Sequence, residues 1–178
     1  KTNVLKSMRN QHLDALLMFR QESMYWLTGY DTFGYVFFQT LILDKEGNTI
    51  LLTRAPDLRQ AQNTSNIQDI RIWVDKDGIN PTDDLKIILD ELDLKNKNVG
   101  IEYEAYGMTG RNALKLNKSL ENYCKVEDQS ELITKIRVIK SPEEVIYVKK
   151  AAELADRALD EAWKHSKGGA SEAKILAE

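Results

Sequence analysis

Apolar positions along this chain change their period several times, and each change marks an element. Val4, Leu5 and Met8 recur at helical spacing and predict an amphipathic helix over residues 1–11. Residues 13–19 form a short unbroken apolar run, the pattern of a buried strand. Residues 23–28 fit one or two helical turns closed by Gly29. Residues 35–43 are dense in aromatic and β-branched side chains and predict a strand. The turn Lys45-Glu46-Gly47-Asn48 then leads into a returning strand over 49–53, making a hairpin. Pro56 suits a first helical turn and opens a helix through Gln62. Ile70, Ile72 and Val74 alternate with polar residues, so 67–74 reads as a strand, followed by the loop Asp75-Lys76-Asp77-Gly78. Leu85, Ile88, Leu89 and Leu92 share one face of a helix over 81–92. A strand over 98–103, a helix from the cap Thr109 through Leu120, a short strand over 124–127 and a helix over 130–138 complete the series.

Helices and strands therefore alternate, and the hairpin makes the sheet mixed. The expectation is an α/β domain over residues 1–139, a mixed β-sheet with helices on both faces. A second segment, 140–178, begins at Lys140-Ser141-Pro142-Glu143-Glu144. Ser141 is a good N-cap, Pro142 suits the first helical position, and Glu144 completes a capping box. Val145, Val148, Ala152, Ala155, Leu159 and Ala162 continue as one apolar stripe to His165, before Gly168-Gly169. Such a helix would be about 36 Å long at roughly 1.5 Å per residue. Its Ala-rich stripe calls for a further packing layer that the sequence does not supply. Residues 171–178 read as the first two turns of another helix. With Lys1 in place of an initiator Met, the expectation is a fragment of a longer protein.

Composition narrows the function classes. The 178 residues are 42% hydrophobic and 30% charged, enough for a sizeable core. Lys and Arg number 25 against 28 Asp and Glu, a net charge of -3 that disfavours a nucleic-acid binder. No apolar run is long enough for a membrane-spanning helix, so no membrane partner is expected. Cys124 is the single cysteine, which excludes an intrachain disulfide and suits a reducing cytoplasm.

The candidate chemistry is sparse. His12 and His165 stand without a ligand pattern around them and read as surface or capping residues. Asp75-Lys76-Asp77-Gly78 lacks the ligand spacing of a calcium loop, and no Gly-Lys-Ser/Thr follows Gly29 and Gly34. The informative stretch is 25–39, YWLTGYDTFGYVFFQ, which packs seven aromatic residues among Thr28, Asp31, Thr32 and Gln39. Most of it suits a core strand. Tyr30, Asp31 and Phe33, however, lie between two elements, where polar and aromatic side chains together build binding surfaces. Arg54 leaves the returning strand toward the same edge, placed to pair with a carboxylate.

Ser23-Met24-Tyr25-Trp26-Leu27-Thr28-Gly29-Tyr30 resembles the N-terminal domain of the creatinase, prolidase and aminopeptidase P family. The junction Arg137-Val138-Ile139-Lys140-Ser141-Pro142-Glu143-Glu144-Val145, with Lys149-Lys150-Ala151-Ala152 after it, is similar to that family's passage into its catalytic domain. The resemblance implies a creatinase N-terminal-like fold followed by the first helix of a truncated pita-bread domain. It implies a parent metallopeptidase holding two divalent metals (manganese, cobalt or zinc) through two Asp, one His and two Glu, all beyond Glu178. No catalytic or metal-binding residue and no cofactor is then expected in this chain itself. Its partners would be its own C-terminal catalytic domain and a second copy in a homodimer, with a small peptide or amide as the parent's substrate. Tyr30, Asp31, Phe33 and Arg54 would be substrate-binding residues at the mouth of the site. An Xaa-Pro dipeptidase, an amidohydrolase of ectoine or creatine type, and a metal-free scaffold or chaperone all remain open as the parent.

Overall fold

The computed structural model describes residues 1–177. The chain runs α1 (Thr2–Asn10), β1 (Ala15–Met18), α2 (Gln21–Thr28), β2 (Thr40–Asp44), β3 (Thr49–Arg54), α3 (Leu58–Thr64), β4 (Asp69–Trp73), α4 (Pro81–Glu91), β5 (Asn98–Ile101), α5 (Gly110–Leu120), β6 (Lys125–Asp128), α6 (Leu132–Val138), α7 (Pro142–His165) and α8 (Glu172–Ala177). Glu178, the last residue of the expected final helix, lies outside the described residues. The strands form one sheet in the order β4-β3-β2-β1-β5-β6. β2 is antiparallel to both β1 and β3, while the β1–β5, β3–β4 and β5–β6 pairs are parallel. Five strands thus run the same way and only β2 runs against them, which is the mixed sheet the hairpin predicts.

Burial on both faces explains the unbroken apolar runs. Side chains alternate across a strand, so Ala15, Leu17, Ile42, Ile50 and Leu52 pack on one face with Leu85, Ile88 and Leu89 of α4 and Leu116 and Leu120 of α5. Leu16, Met18, Leu41, Leu43 and Leu51 pack on the other with Val4 and Met8 of α1, Met24 of α2, Ala61 of α3 and Leu132 and Ile133 of α6. Each such aliphatic side chain contributes roughly 1.5–3 kcal/mol when taken out of water, so the two cores hold the sheet between its helices.

Local signals place the helix ends. Gly29 takes φ 81° at the end of α2, a left-handed conformation that a side chain would strain. Thr109 Oγ1 accepts from the Asn112 N–H at the start of α5. The strand expected over 35–43 is shorter than its composition implies. β2 begins only at Thr40, and Phe33–Val36 form a 3₁₀ turn capped by Thr32. Competing contacts take the backbone of this segment away from the sheet. Thr32 Oγ1 accepts from the Gly34 N–H at 2.8 Å, the Trp73 indole donates to the Phe38 carbonyl at 3.0 Å, and Gly107 lies against the Phe37 carbonyl so closely that a Cβ there would sit 2.2 Å from it.

Two units are distinguished, Lys1–Ile136 and a second beginning at Arg137. In the second, α7 starts at a complete capping box. Ser141 Oγ accepts from the Glu144 N–H at 3.2 Å, and the Ser141 N–H donates to Glu144 Oε2 at 2.7 Å. Ile146, Tyr147, Leu154, Leu159 and Trp163 on α7 are exposed. Its ion pairs, Lys150–Glu153 and Lys164–Glu161, lie at the surface, where such pairs add little stability. No described helix is long and apolar enough to cross a membrane.

Candidate functional site

The carboxyl ends of β1, β3, β4, β5 and β6 share one edge of the sheet, together with the start of β2. Open α/β sheets use that edge for ligands, because loops there carry side chains on a fixed scaffold. Three polar groupings lie along it.

The first is buried. Tyr30 is fully inaccessible, and its hydroxyl donates to Gln39 Oε1 at 2.8 Å and lies 3.1 Å from Thr53 Oγ1. Thr53 Oγ1 also donates to Gln39 Oε1, at 3.0 Å. Burial pushes the Tyr30 phenol above its ordinary pKa, so it stays neutral and acts as a hydrogen-bonding strut. Gln39 Nε2 has no protein partner among the described residues. A buried donor left unmet costs roughly 1–3 kcal/mol.

The second grouping reaches the surface. Asp57 Oδ2 accepts from Arg54 Nε at 3.1 Å, and Asp57 Oδ1 accepts from Thr32 Oγ1 at 3.1 Å. The Arg54 guanidinium stacks 3.5 Å from the centre of the Phe37 ring. Asp57 lies so near Gly34 that a Cβ on Gly34 would be 2.6 Å from its carboxylate. Asp57 thereby ties the 3₁₀ turn to the end of β3 and orients Arg54. A planar guanidinium suits this double role of stacking and pairing. Around it, Phe33 is 88% exposed and Tyr106 75%, and Tyr106 packs edge-on against Tyr35 at 5.6 Å. The result is an aromatic surface with one cation set into it.

The third grouping centres on Glu102, just after β5. It is fully buried, and its Oε2 accepts from the Phe19 and Arg20 N–H groups, each at 3.1 Å, while Oε1 accepts from Ser23 Oγ at 2.6 Å. Burial raises its pKa to about 6, against the lowering influence of these donors and of the Arg20 charge. Arg20 itself is held by Glu104 at 2.8 Å and by Thr134 Oγ1 at 2.6 Å. This carboxylate joins the end of β1, the start of α2 and the end of β5.

The four residues singled out from the sequence are therefore distributed unequally. Arg54 and Phe33 belong to the aromatic surface. Asp31 is exposed beside it, with its N–H donating to Thr64 Oγ1. Tyr30 points into the core and offers no surface. Sequence reasoning missed Asp57, Tyr106 and Glu102. Asp57 carried a usable signal, standing three residues after Arg54 across a proline, whereas Tyr106 and Glu102 meet their partners only through the tertiary fold.

An α/β sheet of this order, with a motif-bearing α2 at its carboxyl edge, defines the class. Residues 2–139 match the Creatinase/Prolidase N-terminal domain, and the chain belongs to that family. Among curated relatives, it is 26% identical over 181 residues to an uncharacterized hydrolase/peptidase of Sinorhizobium fredii, covering 98% of this chain and 46% of that one. It is 27% identical over 165 residues to the ectoine hydrolase of Halomonas elongata, covering 85% of this chain and 39% of that one. The chain spans about half the length, or less, of the curated relatives it matches. Among solved structures, the fold is shared with the X-Pro aminopeptidase of Thermotoga maritima (TM-score 0.77, 18% identity, 99% of this chain and 46% of that one). It is shared likewise with a dipeptidase of Pyrococcus horikoshii (TM-score 0.74, 23% identity, 98% and 47%).

Proposed function

We propose that this chain is the N-terminal, non-catalytic domain of a metal-dependent hydrolase of the Xaa-Pro dipeptidase or aminopeptidase kind. The observation that carries this reading is the family match over residues 2–139 in a chain about half as long as its relatives. The domain's work is to bound substrate access and to dimerise. The surface of Phe33, Phe37, Tyr106 and Arg54 suits both tasks. Its aromatic rings supply contact area, and Arg54, held by Asp57 through Nε and stacked on Phe37, makes no hydrogen bond through its terminal nitrogens among the described residues, leaving them for a carboxylate such as a peptide end. Asp31 sits at the rim. Tyr30 supports the turn from beneath.

Among the described residues no group of three or more His, Cys, Asp or Glu side chains is placed to hold a metal ion. The two divalent ions implied by the family do not fit here, and belong to the catalytic partner domain in this reading. The parent is proposed to be a cytoplasmic homodimer. A second reading, an amidohydrolase parent, is favoured by the 27% identity to an ectoine hydrolase.

The test is to express the whole reading frame and assay it with Xaa-Pro dipeptides and with ectoine, with and without manganese, cobalt or zinc. Metal-dependent dipeptide cleavage by the whole protein, and none by residues 1–178, is expected. Ectoine hydrolysis without peptide cleavage would select the second reading. Peptide cleavage by residues 1–178 alone would overturn both.

A further inference from the structure

A second concave surface, away from the residues described above, separates α4 from α5. It is a cleft of about 700 Å³, within the roughly 300–1,000 Å³ typical of small-molecule sites. Lys86 of α4 and Arg111, Lys115 and Lys118 of α5 line it. The three α5 cations follow one another at helical spacing, so they form a single stripe. Like charges three and four residues apart repel. None of the three makes an ion pair or a side-chain hydrogen bond among the described residues, although acidic residues outnumber basic ones in the chain. Lys86 is turned over the Tyr123 ring, 5.1 Å from its centre, and makes no ion pair among the described residues, although Asp90, four residues on, accepts from the Tyr123 hydroxyl at 2.7 Å. The carboxylates lining the cleft are Asp83 and Glu121, so four cations face two anions.

This pattern differs from a solvated charged face. Placement sets these cations apart, not the lack of a partner, since most Lys and Arg of the chain make no ion pair among the described residues, Lys45 with Asp14 and Arg71 with Asp69 and Glu91 being exceptions. In the cleft the cations converge from two helices on a hollow, with Lys86 and Lys115 half-buried and Arg111 and Lys118 exposed at its rim.

We propose that the cleft between α4 and α5 binds a small polyanion, a molecule bearing two or more phosphate or carboxylate groups. A compact multivalent anion meets Arg111, Lys115 and Lys118 at once, with Lys86 closing from the opposite helix. Arg111 offers the planar fork that grips a phosphate or carboxylate oxygen pair, and the lysines act as point charges. The inference is independent of the proposed hydrolase parentage, since it uses only groups within residues 78–121.

The test uses the 178-residue chain with inorganic pyrophosphate and citrate as probes. Binding is read by calorimetry and by amide chemical shifts at 50 and 300 mM salt. Shifts confined to residues 78–121 are expected, with inorganic phosphate at least tenfold weaker than pyrophosphate. Lys115→Glu should weaken binding at least tenfold, and the same reversal at the exposed Lys149 of α7 should leave it unchanged. Lys118→Glu, at an exposed position, serves as the second variant and should also weaken binding. Retained circular dichroism in each variant separates lost binding from lost folding. The proposal is overturned if neither probe shifts these residues at 50 mM salt. It is overturned too if phosphate binds as well as pyrophosphate, if Lys149→Glu weakens binding as much as Lys115→Glu, or if only a long acidic peptide or RNA binds.

Discussion

Replacing Glu102 by Gln should make this domain more stable at pH 8. Glu102 is fully buried, and its pKa rises from 4.5 to about 6, chiefly through burial. A rise of that size corresponds to about 2 kcal/mol between the two protonation states. The sign follows from proton counting. Between pH 4.5 and 6 the folded chain binds more of this proton than the unfolded chain, so Glu102 makes stability fall as pH rises through that window. Above pH 6 the fold carries a carboxylate that its interior disfavours. Gln keeps the shape and the bonds. Its carbonyl oxygen accepts from the Phe19 and Arg20 N–H groups, and its NH₂ donates to Ser23 Oγ, which turns from donor to acceptor. Glu102→Ala instead leaves two buried donors, the Phe19 N–H and Ser23 Oγ, and the part-buried Arg20 N–H unmet, at roughly 1–3 kcal/mol for each buried one, a large share of the ~5–15 kcal/mol that holds a domain. Urea unfolding followed by tryptophan fluorescence, from pH 4.5 to 8, measures all three proteins. Glu102→Gln should gain up to about 2 kcal/mol over the wild type at pH 8 and nothing at pH 4.5. A Gln variant as unstable as the Ala variant at pH 8, or a gain that does not change with pH, would refute the reasoning.

Gly34→Ala should cost about 1–3 kcal/mol through crowding alone, because its Cβ would meet the Asp57 carboxylate at 2.6 Å. In an Asp57→Ala background that cost should shrink, and a double-mutant cycle in urea reads the difference. Tyr30→Phe should cost about 1 kcal/mol, since Thr53 keeps its bond to Gln39 when the phenol is lost. Ser141→Ala should destabilise the start of α7 by about 1 kcal/mol, read as faster amide exchange at Glu144.

The elements set by neighbouring residues were legible in the sequence. Ser141 and Thr109 cap helices through groups three residues away, and Gly29 ends α2 by its own backbone freedom. The buried strands were legible because both faces meet helices, so that β1 is apolar throughout and β2 and β3 carry the apolar runs 41–43 and 50–52. The stretch 35–39 misled for a physical reason. Aromatic and β-branched residues suit strands, but here Phe37 lies under Arg54, and the backbone is engaged by Trp73 and approached by Gly107. The candidate site was half legible. Phe33 is exposed and the mostly buried Arg54 stacks on Phe37 near it, while the polarity of Tyr30 serves an internal bond to Gln39. Glu102 gave no signal, because Phe19, Arg20 and Ser23 lie about eighty residues earlier.

The most direct test of the central claim is the metal dependence of Xaa-Pro hydrolysis by the complete reading frame, measured beside residues 1–178. Dipeptide cleavage that is lost with a chelator, restored by a divalent ion, and absent from the 178-residue chain is expected. A complete protein that binds no divalent metal and cleaves neither Xaa-Pro dipeptides nor a small amide would contradict it.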